Sequence, residues 1–250
     1  MTVYGVGTAH PFSPRIIMSV LPRFVLSIVL LLAPMSSLSL AQNNASALQD
    51  AFQPQFTPPP PGTYTLPTID TVTDHSLLNT KGERINFFVL TQDKVSVVSF
   101  MYTSCADVGG CPLAAAVLHQ LDHLLSQHPE TARQVTLLSV SFDPERDTPA
   151  RMAETRATLQ PQTNWHFLTA ATDEQLQPIL TDFNQPVAKL TKENGEWSGL
   201  FRHVLKVYLL DQHHNVRNIY STGLFSAQLV LNDIETILLE KDTWSSPSGQ

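Results

Sequence analysis

Two cysteines occur in the 250-residue chain, Cys105 and Cys111, six positions apart. They lie in the stretch Tyr102-Thr103-Ser104-Cys105-Ala106-Asp107-Val108-Gly109-Gly110-Cys111-Pro112. Thiols at that spacing have three chemistries open to them. They can close a disulfide, because five intervening residues let the α carbons approach within about 7 Å. They can work as a redox pair, one thiolate attacking a target disulfide and the other resolving it. They can also hold a soft metal ion such as Cu(I) through sulfur. A disulfide serving only as a staple would close so short a loop that it gains little chain entropy. Gly109 and Gly110 have no side chains, so the loop can fold back and bring Cys105 close to Cys111. Pro112 suits the opening of a helix, which puts Cys111 at the cap. There the unpaired N–H groups and the helix dipole are expected to stabilise a thiolate and lower its pKa. Cys105 precedes the loop and Cys111 caps the helix, so either is a candidate attacking thiol.

The elements around this pair follow from periodicity. Residues 95–101 (VSVVSFM) are β-branched and nearly all apolar, as a central strand buried on both faces should be. Pro112 opens a helix to about His128, with Val117, Leu118, Leu121, Leu124 and Leu125 along one face. Residues 135–142 (VTLLSVSF) read as a second buried strand. Thr148 followed by Pro149 starts a helix running to about Leu159. Residues 165–168 form a short strand, and Thr172-Asp173-Glu174-Gln175 is a capping box for a third helix. Residues 205–211 and 216–220 flank Gln212-His213-His214-Asn215 as a hairpin. Ser226 caps a last helix carrying Val230, Ile234, Ile237 and Leu238. This order predicts an α/β sandwich with a central mixed sheet flanked by helices. It places the thiols just past the carboxyl end of a central strand, where ligand sites of open α/β sheets lie.

Three blocks carry a family resemblance. TSCADVGGCP, then SFDPERDTP at residues 141–149, then FRHVLKVYLLD at residues 201–211, resemble in order and spacing the SCO/SenC family of thioredoxin-like copper proteins. The resemblance spans residues 62–240. It implies a thioredoxin-like fold, Cu(I)/Cu(II) bound by two cysteines and one histidine, and a part in assembling the binuclear copper site of cytochrome c oxidase. Cys105, Cys111 and His203 are the matching positions; Asp107 matches the acidic residue of the family's loop, and Asp143 lies in the matching DPERDTP block. One departure stands out. The family loop has three residues between its cysteines and this chain has five, with Gly109-Gly110 as the insertion.

On residue type alone His203, at the head of strand 205–211, reads as a packing histidine, and the resemblance is what makes it a ligand. A Cys₂His set suits a low-coordinate soft ion, whereas Zn(II) in a closed site would want a fourth ligand. His119 and His123, at i, i+4 spacing opposite the apolar stripe, are expected in solvent, as are His213 and His214 in the turn. His75 and His166 have no partner that the sequence identifies. Asp143, Glu145, Arg146 and Asp147 read as a charged loop with local pairing and a helix cap.

The amino terminus reads as an address. Residues 24–33 (FVLSIVLLLA) follow Arg15 and Arg23 and lead to Ser39-Leu40-Ala41, the parts of a secretory signal cleaved after Ala41, with Met18 a plausible start. Residues 24–41 are also 18 uncharged residues, which is the lower limit for an uncleaved membrane anchor. No cysteine stands at the cleavage region, so a lipid-anchored form is not expected. Both alternatives put the body outside the cytoplasm, in the periplasm or anchored facing it, where thiols can be oxidised. Residues 42–62, with the run Pro58 to Pro61, read as a disordered tether, residues 63–242 as the domain, and residues 243–250 as a disordered tail. Removing the first 41 residues, whose two basic residues are Arg15 and Arg23, leaves 13 basic against 22 acidic, a net charge of −9. With no Lys/Arg cluster, nucleic acid is not an expected partner.

The expectation is therefore an exported copper-binding assembly factor that delivers copper from Cys105, Cys111 and His203 to a respiratory oxidase subunit or another exported copper protein. It is not expected to be a turnover enzyme. The alternative is a thiol–disulfide oxidoreductase using Cys105 and Cys111 as a redox pair, served by a thiol reductant. A peroxidase would need an activating Arg and a peroxide pocket that the sequence does not display.

Overall fold

The computed structural model describes residues 56–245. The leader expected at residues 1–41, residues 42–55 of the tether and residues 246–250 of the tail lie outside the described residues. In chain order the elements are β1 (Asp70–Thr71), β2 (Ser76–Leu78), β3 (Arg84–Asn86), α1 (Phe87–Thr91), β4 (Val95–Met101), α2 (Cys111–Ser126), α3 (Pro129–Ala132) and β5 (Val135–Ser141). They continue with α4 (Pro149–Leu159), β6 (Trp165–Leu168), α5 (Asp173–Asp182), β7 (Val187–Thr191), β8 (Trp197–His203), β9 (Val207–Leu210), β10 (Asn215–Tyr220) and α6 (Ala227–Ser245).

Six strands form one mixed sheet in the order β1-β10-β9-β4-β5-β6. β4, β5 and β6 run parallel, from Val95 opposite Val135 to Val140 opposite Leu168, while β9 is antiparallel to β4. Alternate residues of β4 enter different cores. Val95 and Val97 pack with Leu118, Leu121 and Leu125 of α2 and Ile234 of α6, whereas Val98 and Phe100 pack with Phe87 of α1 and Ile179 of α5. Burial on both faces explains why the strand reads as a nearly continuous apolar run, broken only by the small residues Ser96 and Ser99. The expected α/β sandwich with a mixed central sheet is the fold observed.

The caps read from sequence are present: Thr148 and Thr172 accept from the N–H groups of Arg151 and Gln175, and Ser226 accepts from Leu229 N–H at 3.3 Å. Other expectations need correction. Gly110, not Cys111, is the cap of α2, and Cys111 is its first residue. The strand expected over 205–211 is confined to Val207–Leu210, and His203 heads no part of it; His203 instead ends β8, paired with Val187 of β7. The β7–β8 and β2–β3 hairpins were not legible, because their strands are short or mostly exposed and show no clean alternation of apolar and polar residues. The last helix runs to Ser245, beyond the expected boundary at residue 242, as nothing before Pro247 interrupts it.

The end of the proline-rich stretch is fastened to α6. Asn232 donates to the Pro59 carbonyl, Gly62 N–H to Thr236, and the Tyr64 hydroxyl to buried Asp233 at 2.5 Å. Residues 59–62, expected to belong to a free tether, are thus held by hydrogen bonds. Among the described residues no helix is long and apolar enough to cross a membrane.

Candidate metal centre

β4 and β5 are neighbours and parallel, so the loops that follow them leave the same edge of the sheet. The first loop carries the cysteines. Cys105 N–H donates to the Tyr102 carbonyl at 3.2 Å, and Gly110 N–H donates to the Asp107 carbonyl at 2.9 Å. Asp107 Oδ1 also accepts from Gly109 N–H at 3.1 Å. These two turns fold the five intervening residues back, as the glycine pair led one to expect. A methyl group on Gly110 would sit 3.5 Å from His203 Nε2 and 3.3 Å from both the Asp107 carbonyl and its Oδ2, so the chain passes close under the imidazole there.

His203 arrives from the other direction, at the end of β8. Its Nε2 lies 3.9 Å from Cys111 Sγ, and one ligand atom from each of Cys105, Cys111 and His203 falls within 4.8 Å of the others. Among the described residues this is the single grouping of three or more His, Cys, Asp or Glu side chains that could hold a metal. The imidazole is wedged between Tyr102, at 5.6 Å edge-on, and Phe142, at 5.2 Å between ring centres. Two sulfurs and one imidazole form a soft, low-coordinate donor set, which fits Cu(I) better than a hard ion. Cys111 is buried and Cys105 half-buried, and both are free thiols. A groove of about 340 Å³, lined by Met101, Cys105, Cys111, Pro112 and Ala115, gives access to the sulfurs from the side of α2 and α4.

The expected lowering of the Cys111 pKa is reversed. Burial, with the side chain 6% exposed, pushes the thiol well up, and neighbouring Cys105 adds to the shift; a hydrogen bond with the Tyr102 backbone opposes it. Removing a thiolate from water costs more than the first turn of a helix returns. Burial, and then the charge of Cys105, also pushes the Tyr102 phenol up to about 12. A cation bound between the sulfurs would supply the missing compensation, and its binding would release protons.

Sequence reasoning missed the scaffold behind these ligands. Asp147, read as a loop charge, is fully buried and accepts from Thr103 N–H at 2.9 Å, from the Thr103 hydroxyl at 2.5 Å and from the Ser141 hydroxyl at 2.6 Å. Asp143 is also buried and pairs with Arg146, whose guanidinium lies 4.4 Å from the Trp197 ring centre and donates to the Gly199 carbonyl at 2.9 Å. A signal existed: four charged residues within five positions, immediately after a fully buried strand, must be paired or leave the core.

The remaining histidines lie elsewhere. His119, His123 and His213 are exposed as expected. His214 is not: it is half-buried, stacked 3.7 Å from Phe88, and its Nε2 meets the Thr91 hydroxyl at 3.0 Å. His75 has a partner that the sequence did not identify, Asp182 at 2.7 Å. Burial holds the His166 pKa below its ordinary value, and the charge of Arg156 lowers it further.

A family model described as SCO1/SenC matches residues 64–239. Solved structures of similar fold include Arabidopsis thaliana ScoI with copper bound, 21% identical, with a TM-score of 0.55 over 68% of this chain and 99% of that one. Yeast Sco1 with copper bound is 16% identical, with a TM-score of 0.54 over 72% and 96%. A SCO1/SenC family lipoprotein from Bacillus anthracis is 24% identical, with a TM-score of 0.56 over 67% and 95%. Comparison with curated protein sequences finds no match. The fold is thioredoxin-like.

Proposed function

The chain belongs to the SCO1/SenC family, and from that premise we propose that it is an exported copper-binding assembly factor that delivers copper to a respiratory oxidase. The observation that carries this reading is the convergence of Cys105, Cys111 and His203, with ligand atoms within 4.8 Å of one another. Copper is the cargo. The two sulfurs give up their protons as Cu(I) enters, and His203 Nε2 completes a three-coordinate site. Transfer proceeds by ligand exchange, in which thiolates or imidazoles of the recipient replace these donors one at a time. Cys105, the more exposed sulfur, faces the accessible side and is the first to be exchanged.

Residues 63–242 are the copper-carrying domain, with residues 1–41 as its signal or anchor and the end of the tether fastened to α6. Export to the periplasm, with or without a retained anchor, suits a site that must meet a membrane oxidase. The B. anthracis relative is described as a lipoprotein, which supports a membrane-facing location for the family.

The test is an anaerobic Cu(I) competition titration of the reduced full chain beside Cys105→Ser, Cys111→Ser and His203→Ala. One tightly bound equivalent, weakened strongly by each substitution, is the expected result. Binding that ignores His203, or no tight binding, would overturn the copper site. Cys105 and Cys111 would then be left as a redox pair that reduces the cysteines of a target metal site.

A further inference from the structure

The ligands come from two separate pieces of chain. Cys105 and Cys111 belong to the loop between β4 and α2, whereas His203 ends a two-stranded hairpin that is not part of the six-stranded sheet. Nothing in the main sheet's register therefore sets the distance from imidazole to sulfur. Some other contact must do so.

The loop after β5 touches both pieces. Its Asp147 binds Thr103, two residues before Cys105, through both carboxylate oxygens. Its Arg146 reaches the opposite way. The guanidinium donates to the Gly199 carbonyl of β8, lies over Trp197, and stands 5.7 Å from the ring centres of both Phe201 and Tyr102. Phe201 and His203 are two residues apart on one strand and so share a face. Phe201 packs edge-on against Tyr102 and Phe142, the two rings that enclose the imidazole. Beyond His203, the side chain of Gln185 donates to the Val204 carbonyl at 2.9 Å. The hairpin's other ties to the body, from Lys189 to Asp173 and Glu145, are exposed and weak.

The Asp143–Arg146 pair is a poor device for stability. Asp143 Oδ1 and Arg146 Nη2 are buried with no hydrogen-bond partner, and a buried ion pair seldom outperforms apolar residues of the same shape. What the pair does provide is direction, because a planar guanidinium held on one side by a carboxylate can point its remaining donors only one way.

We propose that Arg146 is a positioning residue for the metal centre: it sets where β8 places His203 relative to Cys105 and Cys111, while Asp147 on the same loop sets the thiols. The loop 143–147 thus acts as one brace for two ligand sources. This inference rests on the copper reading above and deepens it.

A double-mutant cycle tests it in the reduced full chain. Arg146→Gln is expected to weaken Cu(I) binding about tenfold in the native background and by less than about twofold in the His203→Ala background, because its effect passes through that imidazole. Equal losses in both backgrounds would overturn the proposal and leave Arg146 as a structural residue. Arg146→Lys keeps a charge beside buried Asp143 and so guards against collapse of the loop; it is expected to lose the same His203-dependent share. A second readout needs no metal. In the copper-free chain, Arg146→Gln and Arg146→Lys should both shift the imidazole NMR resonances of His203 and leave those of exposed His119 and His123 in place. Unmoved His203 resonances would sink the inference even if copper binds. A native chain whose Cu(I) affinity ignores His203 would instead sink the copper reading, with the NMR result still deciding the role of Arg146.

Discussion

Asp147 grips Thr103 at two points, accepting from its backbone N–H at 2.9 Å and from its hydroxyl at 2.5 Å, across 44 residues of sequence. The cysteine loop is therefore anchored from the neighbouring strand and not only by its own turns. Asp147→Ala would strand those donors and the Ser141 hydroxyl in a buried place. It is expected to cost at least about 2 kcal/mol of stability in urea unfolding of the metal-free chain. Unchanged stability would show that the anchor is dispensable.

The two thiols should differ sharply toward alkylating agents. Burial pushes the Cys111 pKa well up, so at pH 8 this sulfur stays protonated as well as covered. Iodoacetamide is expected to label half-buried Cys105 first and Cys111 only after unfolding, as read by peptide mass spectrometry. Equal rates would contradict the burial described. Loading with Cu(I) should protect both.

Gly110 leaves little space for a side chain. Gly110→Ala would place a methyl group 3.3 Å from the Asp107 carbonyl and 3.5 Å from His203 Nε2. The expected outcome is a folded protein, with an unchanged far-UV spectrum, whose Cu(I) affinity falls severalfold because imidazole and loop are forced apart. Affinity equal to that of the native chain would mean that the loop relaxes freely.

Asp182 offers a prediction of pH dependence away from the site. Burial alone would raise its pKa, but hydrogen bonds from Thr73 N–H, the Thr73 hydroxyl and His75 bring it below the ordinary carboxylate value. A carboxylate with a depressed folded pKa stabilises the native state above its unfolded pKa and loses that contribution as pH falls through the folded value. Asp182→Ala should therefore cost about 1–3 kcal/mol near neutral pH, with the difference from the native chain shrinking below about pH 4. A difference that persisted unchanged at pH 3 would show that packing, not charge, is responsible.

The legible parts of this protein are those where one local property decides the outcome. β4 could be read from Val95 to Met101 because burial on both faces leaves a β-branched, mostly apolar run that no charged residue interrupts. Thr148 and Thr172 could be read because a cap is a bond between residues three apart. The β7–β8 hairpin could not. Its sides are mostly exposed, and what steadies it is Arg146, some fifty residues earlier in the chain. His214 failed similarly: as a turn residue it reads as solvent-exposed, and only packing reveals the Phe88 ring beneath it.

Sequence alone therefore determined the mixed-sheet α/β class, the placing of the thiols past a central strand, and, through three spaced blocks, the family and the ligands to examine. Each of these depends on residue type and short spacing. The distance between imidazole and sulfur, the buried state of Cys111 and the brace from loop 143–147 were decided only by the tertiary structure. They depend on desolvation and on contacts between segments 44 and 92 residues apart, such as Thr103 with Asp147 and Cys111 with His203. Local sequence carries no record of which distant group will displace water from a given side chain, and that displacement sets both the Cys111 pKa and the position of the imidazole.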